Sequence, residues 1–361
     1  MATIYWSGAI DTDIDDYRNY VTGENADPSS ATIADNSGDF SGDNVIFQSL
    51  AVSNVSNNPT VNANETFNSI RIDSGSTLTG NASFSITVDG EADGAGTTTS
   101  GYAVDIDGAL GTNVNLIITT ADTTNLDIIP SSGNVHDLTI NLGDAARIAK
   151  IQTGGPTLTG DLTITSGQLS TENNALTVTG DASVTGTLTG GTSAISLGSL
   201  TINSGGTYSA TSGTTTITSR TSGGYSWYSP TTGSTFNHNN GLVKLTYTTN
   251  ETFWQGTGFY DLEIAGNSAH EHRYDDLTDG SGLTIFNNFT ITEGRVRFNQ
   301  AGDSVTVHGL TKMVSGQYGN TGTAPSGTHN YGNVVIEGGT WKVTSGTCNM
   351  SGIRNIGGTL A

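Results

Sequence analysis

The chain has 361 residues, and its 33 Asp and Glu outnumber 12 Lys and Arg, for a formal net charge of −21. A surface of that sign repels phosphates, which argues against nucleic-acid binding and against anionic membranes. Only 34% of residues are hydrophobic, 49 are glycine, and no run approaches the ~18 apolar residues of a membrane helix, so no membrane insertion is expected.

Residues 1–50 open with Tyr5-Trp6-Ser7-Gly8 and end on the strand-like Asp43-Asn44-Val45-Ile46-Phe47. They carry neither a basic stretch nor an apolar core of the kind an export signal needs. They also do not match the repeat that follows, and are expected to be a cap or an attachment segment. Within them, Asp11, Asp13 and Asp15 occupy the first three ligand positions of a calcium loop. The sixth position is Asp16 where such a loop needs Gly, and the twelfth is Thr22 where it needs Glu. The three aspartates are therefore weak metal candidates, with a solvated acidic turn as the alternative.

From residue 51 to 361 a template recurs. Its clearest copies are Gly160-Asp161-Leu162-Thr163-Ile164, Gly180-Asp181-Ala182-Ser183-Val184 and Gly198-Ser199-Leu200-Thr201-Ile202. Apolar residues alternate with Thr or Ser, so one face of each strand is buried and the other is wet. Gly or Ser-Gly ends each strand. A short strand that returns after each turn is the signature of stacked coils. The fold class is therefore all-β, a parallel β-solenoid (β-helix) with coils of ~18–24 residues. Leu162, Ile164, Leu200, Ile202, Leu262, Ile264, Phe289 and Ile291 are predicted to point inward. An Asn or Asp before each strand is expected to line up as a ladder of turn partners. Residues 145–150 are the one stretch that suggests a helical turn.

Three constellations raise chemistry. Asp105 and Asp107 share a strand face, and glycosidases need two carboxylates about 5–9 Å apart. Among 33 acids such spacings arise by chance, and neither a Gly-x-Ser-x-Gly elbow nor a phosphate loop is present, so no catalytic residue is assigned. His270-Glu271-His272 places two imidazoles at i and i+2, beside Asp275 and Asp276. His270 and His272 are weak metal candidates, with an ordinary polar loop as the alternative. The lone Cys348 permits no intrachain disulfide and no Cys-based metal site, and no cofactor is expected. Residues 220–275 are rich in aromatics. They fill wider coils, or else Tyr225, Trp227, Tyr228, Phe253 and Trp254 form an oligomer or recognition surface.

The Tyr-Trp-x-Gly opening, the polar loop and the Asp-Asn-Val-Ile-Phe strand, with the repeat style behind them, resemble phage-encoded β-solenoid virion structural proteins. The loop lacks the second Trp of that pattern. The resemblance implies a non-enzymatic fibre or decoration protein of a tailed bacteriophage. It would be assembled in the host cytoplasm and exposed on the particle, on the capsid or the tail. The N-terminal segment would contact other virion proteins, and a host-surface glycan would be a further partner. His-x-His also resembles the axial iron motif of some trimeric phage fibres. Such fibres are usually homotrimers, and a trimer would bury the aromatic surface in a shared seam. The alternatives are a bacterial cell-surface β-solenoid adhesin and a polysaccharide-cleaving tailspike.

Overall fold

The computed structural model describes residues 2–24, 26–27, 40–52, 54–92, 101–120, 124–128, 133–229, 233–246, 252–255, 258–267, 270–274, 282–298, 303–319, 327–342 and 346–361. The chain is all-β, and its parallel strands stack into a β-solenoid of about 12 turns among the described residues. Contacts divide it into two compact units. The first is Met1–Thr179 with Gly186–Thr189, and the second is Gly180–Thr185 with Gly190–Ala361.

In the first unit one face is built by Thr3–Trp6, Asn44–Phe47, Ser69–Ile72, Tyr102–Ile106, Thr124–Ile128, Ile148–Thr153, Gln168–Ser170 and Thr187–Thr189, each parallel to the next. A second face stacks Glu65–Phe67, Ile86–Val88, Leu116–Ile118, Leu138–Asn141 and Leu162–Ser166. Register places like on like: Leu138 lies beside Leu162, and Ile140 beside Ile164. Alternate residues point in, and all eight predicted core positions are at most 1% exposed. After a first step of 41 residues, Ile4 to Val45, the step from coil to coil ranges from 19 residues, Leu169 to Leu188, to 34, Ile70 to Val104. It is wider than the spacing of the clearest repeats suggests, because the longer coils carry extra residues between strands.

The N-terminal segment departs from the parallel rule. Tyr20–Val21 runs antiparallel to Thr3–Trp6 and lies on its outer side. Behind it Trp6 packs edge-on to Tyr20 at 5.3 Å, and Tyr20 contacts Phe40 at 4.8 Å. The Trp6 indole N–H donates to the Asn57 carbonyl at 2.7 Å. Thr3–Trp6 is itself in register with Asn44–Phe47, so the stack already begins inside the first fifty residues. The expected helical turn is absent: after a turn at Asp144, Ile148–Thr153 is a strand whose Ala149 and Ile151 point inward. Its β-branched period-two pattern outweighs the helix propensity of two alanines. Among the described residues the helical element is a 3-10 turn at Tyr17–Asn19.

In the second unit one face contains Ile195–Ile202, Thr214–Ile217, Leu242–Leu245, Asp261–Ala265, Phe289–Glu293, Val305–Met313, His329–Ile336 and Cys348–Asn355. Another contains Tyr225–Tyr228, Thr252–Gln255, Glu271–Tyr274, Arg295–Phe298, Gln317–Tyr318, Thr340–Trp341 and Thr359–Leu360. Here the inward column is aromatic: Leu200, Trp227, Trp254, Tyr274 and Phe298 follow one another on successive registers. The Asn and Asp ladder is present in both units. Asn64, Asn115 and Asp137 accept from the backbone N–H groups of Ser85, Asp137 and Asp161. Asp261 and Asn288 accept from those of Asn288 and Leu310. Each such side chain occupies a strand-end donor that the parallel sheet leaves free.

Glycine sets how closely coils approach at one corner. Gly294, Gly316 and Gly339 all have positive φ, +104°, +87° and +77°. A Cβ on Gly316 would lie 2.1 Å from the Gly294 carbonyl oxygen, and one on Gly339 2.3 Å from that of Gly316. Gly316→Ala should therefore cost about 2–3 kcal/mol, the sum of an unfavourable φ and a backbone clash. Gly205 shares the positive φ but has open space where its Cβ would be, so Gly205→Ala should cost only about 1 kcal/mol. Denaturant midpoints of the two variants check this; equal losses would refute the clash.

Candidate functional site

The acidic loop is committed to local structure. The Asp11 carboxylate accepts from the Asp13 backbone at 3.0 Å and from the Asn19 amide at 2.7 Å. Asp15 accepts from Asn62 at 3.0 Å, and Asp16 pairs with Arg18. Desolvation, then the charges of Asp11, Asp15 and Asp16, raise the Asp13 pKa. These contacts tie the loop to the turn at Tyr17–Asn19 and to the coil that carries Asn62.

His270 and His272 part company. His272 is fully buried, in register between Thr252 and Val296 in an inward column, while His270 is half-buried just before the strand. Burial, then the neighbouring His270, pulls the His272 pKa down to about 4, so the ring is neutral at pH 7. Asp275 and Asp276 lie outside the described residues. Among the described residues no group of three or more His, Cys, Asp or Glu is placed to hold a metal ion.

A second buried histidine went unnoticed in the sequence. His329 Nε2 lies 3.1 Å from the Asp303 carbonyl, an obligate acceptor, so the proton is assigned to Nε2. Nδ1 then accepts, with the Tyr318 and Tyr331 hydroxyls each 3.1 Å away and hydrogen-bonded to each other. Trp341 stacks on Tyr318 at 4.1 Å. Burial brings the His329 pKa down to about 4 and pushes both phenols upward. Adding a proton at Nδ1 would give this dry cluster one more donor than it has acceptors.

On the outer face of the first unit, Arg71, Asp105 and Asp127 stand in register on three successive coils. Arg71 donates to Asp73 at 2.7 Å, and the Thr153 hydroxyl to Asp127. Burial, then Asp107 and Asp127, raises the Asp105 pKa to about 6. A carboxyl raised there beside other acidic side chains has the chemistry of a general acid. It lines none of three hollows, of about 340, 240 and 210 Å³, among the described residues.

The expected aromatic surface is divided by the structure. Trp227 and Trp254 are completely buried and belong to the core column, so neither is available to a seam or a ligand. Their size explains the placement: a coil wide enough to need filling takes the largest side chains inside. Among the described residues no hydrogen-bond acceptor meets either indole N–H, and Trp227 meets Phe236 edge-to-face at 4.8 Å. Tyr225 and Tyr228 stay half-buried on the outside, 5.0 Å apart. Phe253 pairs with Tyr225 by backbone register, and its side chain lies outside the described residues.

Other rings occupy the surface instead. His238, Tyr260, Phe286 and His308 form one outward row, one ring per coil. Centroid separations are 5.4 Å from His238 to Tyr260, 5.3 Å from His238 to Phe286 and 6.1 Å from Phe286 to His308. Phe286 is 48% exposed. The recurrence at 22, 26 and 22 residues was a usable signal in the sequence, hidden because two of the four rings are histidines. No protein-family model, curated protein or solved structure matches the chain.

The two kinds of buried titratable group predict opposite pH responses. His272 and His329 have folded pKa values below the ordinary 6.5, so the unfolded chain binds more protons between pH 6.5 and 4. Stability from each is present above pH 6.5 and falls, by up to about 3 kcal/mol, as pH drops toward 4. His329→Gln should flatten that slope in the fluorescence-detected unfolding of a Trp6→Phe background, which reports Trp227, Trp254 and Trp341. An unchanged slope would refute it. Asp105 is raised, so its contribution is present below pH 3.8 and lost as pH rises through 6. Asp105→Asn should stabilise the protein at pH 7.5 by roughly 1 kcal/mol after solvent screening, and not at pH 3.5.

Proposed function

We propose that the protein is a non-enzymatic structural protein of a tailed-bacteriophage virion, a β-helical fibre or decoration exposed on the particle. The observation that carries this reading is the in-register stacking of inward side chains from coil to coil beneath outward Thr, Ser and Asn. Such a stack is a self-supporting spacer with a solvated surface, suited to projection into solution. The Tyr5-Trp6-Ser7-Gly8 opening and the Asn44–Phe47 strand supply the phage resemblance. Homotrimerisation belongs to the same proposal, with Tyr225 and Tyr228 as the aromatics left on the outside for a seam.

One observation favours the polysaccharide-cleaving alternative: Asp105 and Asp127 face outward on adjacent coils with Asp105 poised near pH 6. Immunogold electron microscopy of phage particles with antibodies to this chain tests the main reading, which expects regular labelling at head or tail. Unlabelled particles would refute it. Sedimentation at micromolar concentration should give three times 37.2 kDa. Reducing ends released from host polysaccharide, and lost in Asp105→Asn, would instead establish the cleaving enzyme.

A further inference from the structure

We propose that the outward row His238–Tyr260–Phe286–His308 is a binding strip for a neutral, linear polysaccharide. Three of the four rings sit next in sequence to a position where the core is already filled: Phe259, Ile285 and Val307 point inward at 2% exposure or less, and Tyr260, Phe286 and His308 follow them, while His238 lies between the exposed Asn237 and Asn239. The row is thus surplus to the core. Contacts run from Tyr260 to His238 to Phe286 to His308, with centroids 5.3–6.1 Å apart and planes inclined by 25°, 42° and 9°; Phe286 and His308 are exposed and the other two half-buried, so part of each ring stays open. A row with one ring per coil suits a ligand that is itself a linear repeat.

A polar rim borders the rings. Asp261 follows Tyr260, and its carboxylate holds the Asn287 amide at 3.0 Å and the Asn288 backbone at 2.8 Å. Beyond it a hollow of about 210 Å³ is lined by Leu242, Asp261, Leu262, Glu263, Asn288 and Thr290. Glu263 is held there by Lys244 at 3.0 Å and by the Thr292 hydroxyl at 2.9 Å. Flat rings flanked by fixed carboxylates and amides match a sugar chain, which has apolar C–H faces and hydroxyl edges. The Asp261 carboxylate fixed beside the rings disfavours anionic polymers and leaves the neutral ones.

The test uses the purified full chain on an array of immobilised neutral glucans, mannans, galactans and xylans, with anionic glycans alongside. Retention of at least one neutral class is expected, and no retention of the anionic ones. Tyr260→Ala with Phe286→Ala should weaken retention at least tenfold without altering the melting profile. Phe286→Leu keeps apolar bulk but removes the ring, and should also weaken binding even if the double variant proves unstable. Absence of any neutral retention, stronger anionic retention, or undiminished binding by the ring variants would each overturn the assignment. The experiment does not depend on the virion reading, since it can succeed where particle labelling fails.

Discussion

The parallel register between neighbouring coils governs everything else in this protein. Each backbone hydrogen bond to the next coil fixes which residue lies beside which, and so turns scattered apolar residues into continuous columns. A one-residue slip would turn every inward side chain to water. Low hydrophobic content is therefore sufficient: Val243, Leu262 and Phe289 follow one another in a single inward column. The Asn and Asp side chains at strand ends serve the same register, since each accepts a hydrogen bond from one particular N–H of the following coil.

Much of this was legible in the sequence, because the code for a strand face has period two and is local. Leu162, Ile164, Leu200 and Ile202 could be assigned inward without knowing their partners. The ladder of Asn and Asp was legible for the same reason. The aromatics were not. Whether Trp227 faces in or out depends on the width of its coil and on Phe236 and Phe259 around it, which are nonlocal facts. The outward row was obscured by unequal coil lengths, which blur a period that would otherwise be plain. His272 and His329 illustrate the limit for titratable groups: one looked like a ligand and the other like nothing, and both are buried parts of the core.

Charge is unevenly written along the chain. Residues 280–361 contain three acids, Glu293, Asp303 and Glu337, against five bases, Arg295, Arg297, Lys312, Lys342 and Arg354, so the large negative charge resides in the preceding residues. Several of the second unit's charges are paired across coils, as in Lys244 with Glu263, Arg297 with Glu271 and Lys312 with Glu337. Exposed pairs of this kind contribute little stability individually, but they oppose register slips, since a shifted coil would face like with like.

The glycine column at Gly294, Gly316 and Gly339 bears on how such a chain can change in length. Gly316 and Gly339 each leave the space that the carbonyl of the preceding glycine occupies, so at these two steps a glycine at positive φ meets another. Loss or duplication of a whole coil, from one glycine to the next, preserves that fit and every column with it. Loss of a few residues within a strand does not. Insertions between strands are tolerated, as the step of 34 residues from Ile70 to Val104 shows. The coil, not the residue, is the unit in which this protein can be lengthened or shortened by recombination or by design.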